Sequence, residues 1–192
     1  MTEKQGHRSN SISVRQTEIG RRKLAYDDFT TPPDLARSLL ELVRIEPGSV
    51  VLDPCRGSGS FFNAFPEAAR REWCEIKEGR DFFQRRERAD WVISNPPYSI
   101  LDRFLARAFE LADVGVAMLL LGHHVTPRRL EQAAKLGFSL SVLHVVKVRR
   151  WFGHAWFLVW TRNLTTTTVS HTTGSYGGMS GAWIARKERR FE

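Results

Sequence analysis

The sequence predicts an α/β fold: a mostly parallel sheet with helices, closed by a C-terminal antiparallel hairpin. Three observations predict it. Short apolar runs at 49–53, 73–76, 90–94 and 114–121 alternate with segments of helical periodicity or with turn-rich loops. Two β-rich runs, 139–148 and 156–161, then follow each other around Trp151-Phe152-Gly153-His154, as in a hairpin. Two of the early strands end in chemically unusual loops, at the end of the sheet where such folds bind ligands.

The elements follow in order. Residues 1–25 are polar and aperiodic, and are expected to form a flexible basic arm. Thr30-Thr31-Pro32-Pro33-Asp34 predicts a helix start, with a hydroxyl cap and prolines in the first turn. Ala36, Leu39, Leu40 and Val43 continue that helix, and Glu46-Pro47-Gly48 stops it. Ser49 to Asp53 reads as a buried strand, and Phe61 to Phe65 as a short helix. Trp73-Cys74-Glu75-Ile76 reads as the second strand, and Asp90 to Ser94 as another. Leu101, Phe104, Leu105, Ala108 and Leu111 mark an amphipathic helix, followed by a strand at 114–121 and a helix at 127–136. Residues 163–192 read as a Thr/Ser/Gly-rich linker and a basic tail. The expected division is therefore an arm at 1–25, a catalytic domain at 26–162 and a linker with tail at 163–192.

Charge narrows the class of partner. The 192 residues carry 29 Lys and Arg against 21 Asp and Glu, a net +8. Half of that excess sits in residues 1–24, where six basic residues face two acidic ones. Another +2 sits in residues 182–192, with four against two. Basic ends suit a polyanion such as nucleic acid, and equally a solubilising tail. The longest apolar stretch falls far short of the ~20 residues that cross a bilayer, so no membrane association is expected. Cys55 and Cys74 are too few for a disulfide framework, and are expected to be reduced thiols in a cytoplasmic protein. His123-His124 has no third ligand at metal spacing, so no metal is expected.

Two loops carry the chemistry. Asp53-Pro54-Cys55-Arg56-Gly57-Ser58-Gly59-Ser60-Phe61 leaves a strand through a carboxylate and turns through glycines. It lacks both the dinucleotide fingerprint and the phosphate-loop lysine. An acid at the strand end suits a positive group on a ligand, such as an amino acid's ammonium. Ser94-Asn95-Pro96-Pro97-Tyr98 ends a second strand. Its two prolines remove two donors and stiffen the loop, leaving carbonyls and the Asn95 amide oxygen as rigid acceptors beside an aromatic ring. That combination suits a planar substrate bearing an NH₂ group. Taken singly, each loop also reads as an ordinary turn.

Together the loops resemble the S-adenosylmethionine-dependent N6-adenine DNA methyltransferases of the Asn-Pro-Pro-Tyr class, nearest in size to the small phage-type enzymes. The resemblance covers about residues 26–162. It implies a Rossmann-like methyltransferase fold and S-adenosylmethionine as cofactor. Phe29-Thr30-Thr31-Pro32 resembles the family's N-terminal cofactor motif, so Thr30, Thr31 and Pro32 are implied cofactor contacts. Asp53, Pro54, Cys55, Gly57 and Gly59 fall in its glycine loop. Glu75 matches the acid that holds the cofactor's ribose, and Asp81 begins the segment resembling the adenine contact. Asn95, Pro96, Pro97 and Tyr98 match the catalytic loop, which implies DNA with a flipped-out adenine as substrate. The setting would be restriction-modification or phage biology, with a recognition partner or a homodimer left open.

Two departures from the family pattern stand out. Only 20 positions separate Glu75 from Asn95, so the third strand is expected to be reduced. No segment is long enough for a separate target-recognition region, so Lys147, Arg149, Arg150 and Trp151 at the hairpin tip are the candidate nucleic-acid contacts. Arg85, Arg86 and Arg88 form a second basic cluster. The alternatives are an RNA adenine or protein glutamine N-methyltransferase, and a non-catalytic nucleic-acid-binding subunit with the cofactor fold.

Overall fold

A computed structural model describes residues 30–149, 151, 153–162, 167–176 and 189–190. The chain runs through α1 (Pro33–Leu40), β1 (Val50–Asp53), β2 (Arg70–Trp73), β3 (Ala89–Ser94) and α2 (Leu101–Leu111). It continues through β4 (Ala112–Leu121), α3 (Pro127–Lys135), β5 (Phe138–Val148), β6 (Ala155–Arg162), β7 (Thr168–Tyr176) and β8 (Arg189–Arg190). The strands form one sheet in the order β2-β1-β3-β4-β6-β5-β7-β8. The first four are mutually parallel, and β6 runs antiparallel between β4 and β5, forming the expected hairpin. The predicted α/β class is therefore the observed one.

Side chains alternate across the sheet and build a core on each face. Val51, Ile93, Leu119 and Phe157 face α1, with Leu35 and Leu39 packed onto them. Leu52, Val92, Met118, Leu120 and Leu158 face α2, which contributes Phe104, Leu105, Ala108 and Phe109. One close approach requires a glycine. A Cβ on Gly115 would lie 2.3 Å from the Trp91 ring and 2.7 Å from the Trp160 carbonyl oxygen. No helix among the described residues is long and apolar enough to cross a membrane.

The connection from β2 to β3 holds only two single 3₁₀ turns, Ile76–Glu78 and Phe82–Gln84, and an isolated bridge between Glu75 and Arg80. Fifteen residues are too few for a helix, a further parallel strand and a second crossover, so among the described residues β2 is left at the edge, as the spacing predicts.

Several expectations are corrected. The hydroxyl cap on α1 is absent: Pro32 is the N-cap, and no side chain caps the helix. Thr31 instead offers its carbonyl to the Ser60 hydroxyl at 2.6 Å. The short helix expected at 61–65 is a single 3₁₀ turn, Phe62–Ala64. The second strand lies at Arg70–Trp73, three residues earlier than predicted. The largest change is β7, within the presumed linker, which pairs parallel to β5. Threonine-rich composition reads as a linker, yet threonine's branched side chain favours strands. Buried His144 fixes this strand, with its ring nitrogens 2.7 Å from the Ser170 hydroxyl and 2.9 Å from that of Thr172. β8 then pairs antiparallel to β7.

Candidate active site

The parallel register of β1 and β3 brings their carboxyl ends side by side, Leu52 beside Val92. Asp53 ends β1 with only 1% of its surface exposed. Its Oδ1 accepts a hydrogen bond from the Ser94 hydroxyl at 2.6 Å and from the Cys55 backbone N–H at 3.3 Å. Burial pushes the Asp53 carboxyl up to about 6, against the lowering pull of the Ser94 and backbone hydrogen bonds. A buried acid held this way is poised to ionise when a cation arrives.

The glycine loop then turns toward β2. Gly57 and Gly59 have φ of +51° and +88°, in the left-handed region that favours glycine. The Gly57 N–H donates to Glu75 Oε2 at 2.9 Å, and the Lys77 N–H donates to Oε1 at 3.1 Å. Glu75 is thereby fixed, buried in the cavity wall. The guanidinium groups of Arg56 and Arg80 lie 4.1 and 3.9 Å from the Trp73 ring centre, and Arg56 also pairs with Glu78.

The second loop stands opposite. Pro96 is buried, and the Tyr98 hydroxyl donates to Asn95 Oδ1 at 3.1 Å. The Tyr98 ring lies 4.6 Å from that of His124, which lies 4.1 Å from that of His123. The Cys55 thiol ties the loops together: it sits 3.1 Å from the Ser94 hydroxyl and donates to the Asn95 carbonyl at 3.3 Å. Burial pushes its pKa well up, so it is an uncharged spacer rather than a thiolate.

Between the loops lies a cavity of about 370 Å³, at the small end of the range for cofactor sites. Of the sequence-predicted residues, Thr30, Thr31, Asp53, Cys55, Gly57, Glu75 and Asn95 line it. Four cofactor candidates do not. Pro32 caps α1, Pro54 is buried, and Gly59 packs beneath the Asn63 side chain. Asp81 is turned to a structural task, its carboxylate accepting the Phe83 N–H at 2.9 Å to cap a 3₁₀ turn. Sequence reasoning gave no role to Ser94, which links the carboxyl ends of β1 and β3 through Asp53. Its signal was a polar residue closing an otherwise apolar strand. Ile76, 67% exposed between Glu75 and Lys77, is a second omission. It offers an exposed apolar side chain between two residues that line the cavity.

The hairpin tip differs from expectation. Trp151 is only 6% exposed and packs in the core beneath α1's face of the sheet, so it is not poised to stack on a base. The Lys147 ammonium donates to the Trp151 and Gly153 carbonyls at 3.3 and 2.7 Å, bracing the turn. Arg149 is exposed, and Arg150 lies outside the described residues. Only six residues, 149–154, separate β5 from β6, so the chain must turn back on itself to join the strands.

No protein-family model matches the sequence, and no curated protein does. Solved structures do resemble the fold. A Pyrococcus horikoshii protein assigned as an RNA methyltransferase superposes with a TM-score of 0.58 at 23% identity, covering 72% of this chain and 89% of its own. Magnesium protoporphyrin IX methyltransferase of Synechocystis PCC 6803, solved with S-adenosylmethionine, gives 0.55 at 15% identity, with 84% and 87% covered. The M protein of the type I restriction enzyme EcoKI gives 0.56 at 12% identity, covering 79% of this chain. The chain spans half the length of that last protein. The fold is therefore the one these methyltransferase structures share; among the described residues no strand lies outside β2, and β7 and β8 extend the sheet beyond β5.

Proposed function

We propose that the chain transfers a methyl group from S-adenosylmethionine to the N6 amine of adenine in DNA. One observation supports the reading: a buried carboxylate, Asp53, and Asn95, the first residue of the rigid Asn-Pro-Pro-Tyr loop, line one cavity, with Ser94 hydrogen-bonded to Asp53 between them.

The residues present fit the cofactor. Asp53 is a buried acid with no cationic partner among the described hydrogen bonds and ion pairs, and would take the ammonium. Glu75, already oriented by two backbone N–H groups, keeps lone pairs for the ribose hydroxyls. Ile76 would cover the cofactor's adenine ring. When bound, the cofactor supplies a methyl group already activated on a sulfonium sulfur. The chain's own task is alignment. Asn95 Oδ1 and the Pro96 carbonyl would accept the two N–H groups of the substrate amine, which favours positive charge developing on that nitrogen. The Tyr98 hydroxyl, which holds Asn95 Oδ1 now, would keep the amide in position, and its ring would stack on the base. Both contacts need a base outside the duplex, so the target must be flipped out or unpaired. Residues 26–162 would form the catalytic domain.

A second reading, RNA adenine methylation, is favoured by the likeness in size to the Pyrococcus horikoshii protein. The two are separated by offering DNA, RNA and protein acceptors with labelled S-adenosylmethionine. Asn95→Ala is expected to bind cofactor normally and to transfer nothing. Undiminished turnover in that variant sinks the assigned chemistry. Failure of the wild-type chain to bind S-adenosylmethionine in calorimetry would favour the non-catalytic alternative.

A further inference from the structure

The hairpin tip's loss of Trp151 leaves open where a polyanion would lie. α2 turns Leu101, Phe104, Leu105 and Ala108 into the core, so Arg103 and Arg107 project from its other side. Residues 82–88 run alongside, docked by Phe82 and Phe83, whose rings lie 4.8 and 6.2 Å from that of Phe104. Between them lies an open basin of about 730 Å³, lined by Phe83, Gln84, Arg86, Arg103, Arg107 and Glu110 among others. The short β2–β3 connection has no helix to cover it.

Part of the basin's charge is left without a carboxylate partner. Arg44, Arg56, Arg70, Arg85, Arg88 and Arg129 each pair with a carboxylate. Among the described residues, Arg86 and Arg103 form no ion pair and no side-chain hydrogen bond. Arg86 is exposed, with its chain neighbour Glu87 the acid that feels its charge. The Arg103 guanidinium lies 3.9 Å from the Phe83 ring centre. A guanidinium seated over a ring face leaves in-plane N–H donors available at its edge, the arrangement suited to a bidentate phosphate contact. Arg107 donates to Glu110 at 2.7 Å and to the Arg85 carbonyl. Three arginines thus face one lining carboxylate. The position also fits. Arg103 lies in the first turn of α2, five residues past Tyr98, and the 11-residue helix extends about 16 Å from the acceptor loop.

We propose that this basin binds the phosphodiester backbone of the nucleic-acid substrate, with Arg86 and Arg103 contacting phosphates of the strand that carries the target base. The proposal rests on the nucleic-acid methyltransferase reading above.

The test measures binding of a fluorescein-labelled DNA duplex to the full chain by anisotropy, across about 50 to 200 mM salt. Arg86→Gln with Arg103→Gln is expected to weaken binding about tenfold and to flatten the log–log salt slope by about 1.8, two phosphates' worth. Arg86→Lys with Arg103→Lys, which restores the charge, is expected to recover most of the slope. Arg37→Gln with Arg71→Gln removes equal charge elsewhere and is expected to do less. S-adenosylmethionine affinity by calorimetry is expected to be the same throughout, which also reports intact folding. An unchanged slope in the first variant overturns the proposal, as does an equal loss in the Arg37/Arg71 control or a wild type that binds neither DNA nor RNA. The two readings fail separately. DNA bound through the basin without methyl transfer removes the methylation reading and keeps the basin. Methyl transfer with binding unaffected by the first variant removes the basin alone.

Discussion

Asp53→Asn is expected to make the cofactor-free protein more stable while weakening its hold on S-adenosylmethionine. Burial raises the Asp53 carboxyl from the ordinary 3.8 to about 6 in the folded chain. The folded state therefore holds this proton more tightly than the unfolded state does. Below about 3.8 both states are protonated and folding carries no penalty from this group. Stability falls as pH rises from about 3.8 to about 6, and the full cost is present above that window. The difference between the two values corresponds to about 3 kcal/mol. Asparagine removes the ionisation but keeps an oxygen for the Ser94 hydroxyl. At about pH 7.5 the variant is expected to gain up to about 3 kcal/mol, roughly 6 to 12 °C in melting midpoint for a chain of this size. At about pH 4 the gain is expected to shrink toward zero. Cofactor affinity is expected to fall about tenfold to a hundredfold, the loss of one charge-assisted contact. Thermal melts of both proteins across pH, with calorimetric titration of the cofactor, check each part. A variant no more stable than wild type at neutral pH refutes the burial argument. Undiminished cofactor affinity refutes the assignment of Asp53 to the ammonium.

The same carboxyl predicts that S-adenosylmethionine affinity declines about tenfold per pH unit below about 6, as protons compete with the ammonium; calorimetry in buffers spanning that range checks it, and a flat profile contradicts it. Gly115→Ala forces a Cβ into the Trp91 ring and the Trp160 carbonyl. It is expected to cost about 1–3 kcal/mol, measured by urea denaturation, and a neutral result would mean the sheet yields there. His144→Leu leaves the buried Ser170 hydroxyl without its ring partner. It is expected to lower hydrogen-exchange protection along β7 while β1, β3 and β4 keep theirs. Deleting residues 1–24 removes a net +4 and is expected to reduce the salt slope of DNA binding, leaving cofactor affinity intact.

What could be read from the sequence follows the range of the interactions involved. The interior strands β3, β4 and β6 were legible because burial on both faces leaves near-continuous apolar runs such as Gly115 to Leu121. The reduced connection between β2 and β3 was legible as a short spacing between Glu75 and Asn95. Asp53, Glu75 and Asn95 were legible because each lies at or just past a strand end, where residue type alone carries meaning. The Ser94–Asp53 and Cys55–Asn95 links were not, since they join positions 41 and 40 residues apart. β7 was hidden because its hydroxyl side chains are satisfied by a histidine on a neighbouring strand, which composition does not report. Trp151 misled for the opposite reason. An aromatic beside basic residues reads as a ligand contact, yet the tight return between β5 and β6 folds it into the core.

The central claim is methyl transfer to adenine N6 through Asn95. The most direct measurement incubates the full chain with S-adenosylmethionine bearing a deuterated methyl group and adenine-containing DNA, then digests the DNA and weighs its nucleosides. The account predicts deuterated N6-methyladenine with the wild-type chain and none with Asn95→Ala. Cofactor binding with no labelled adenine in the DNA contradicts it.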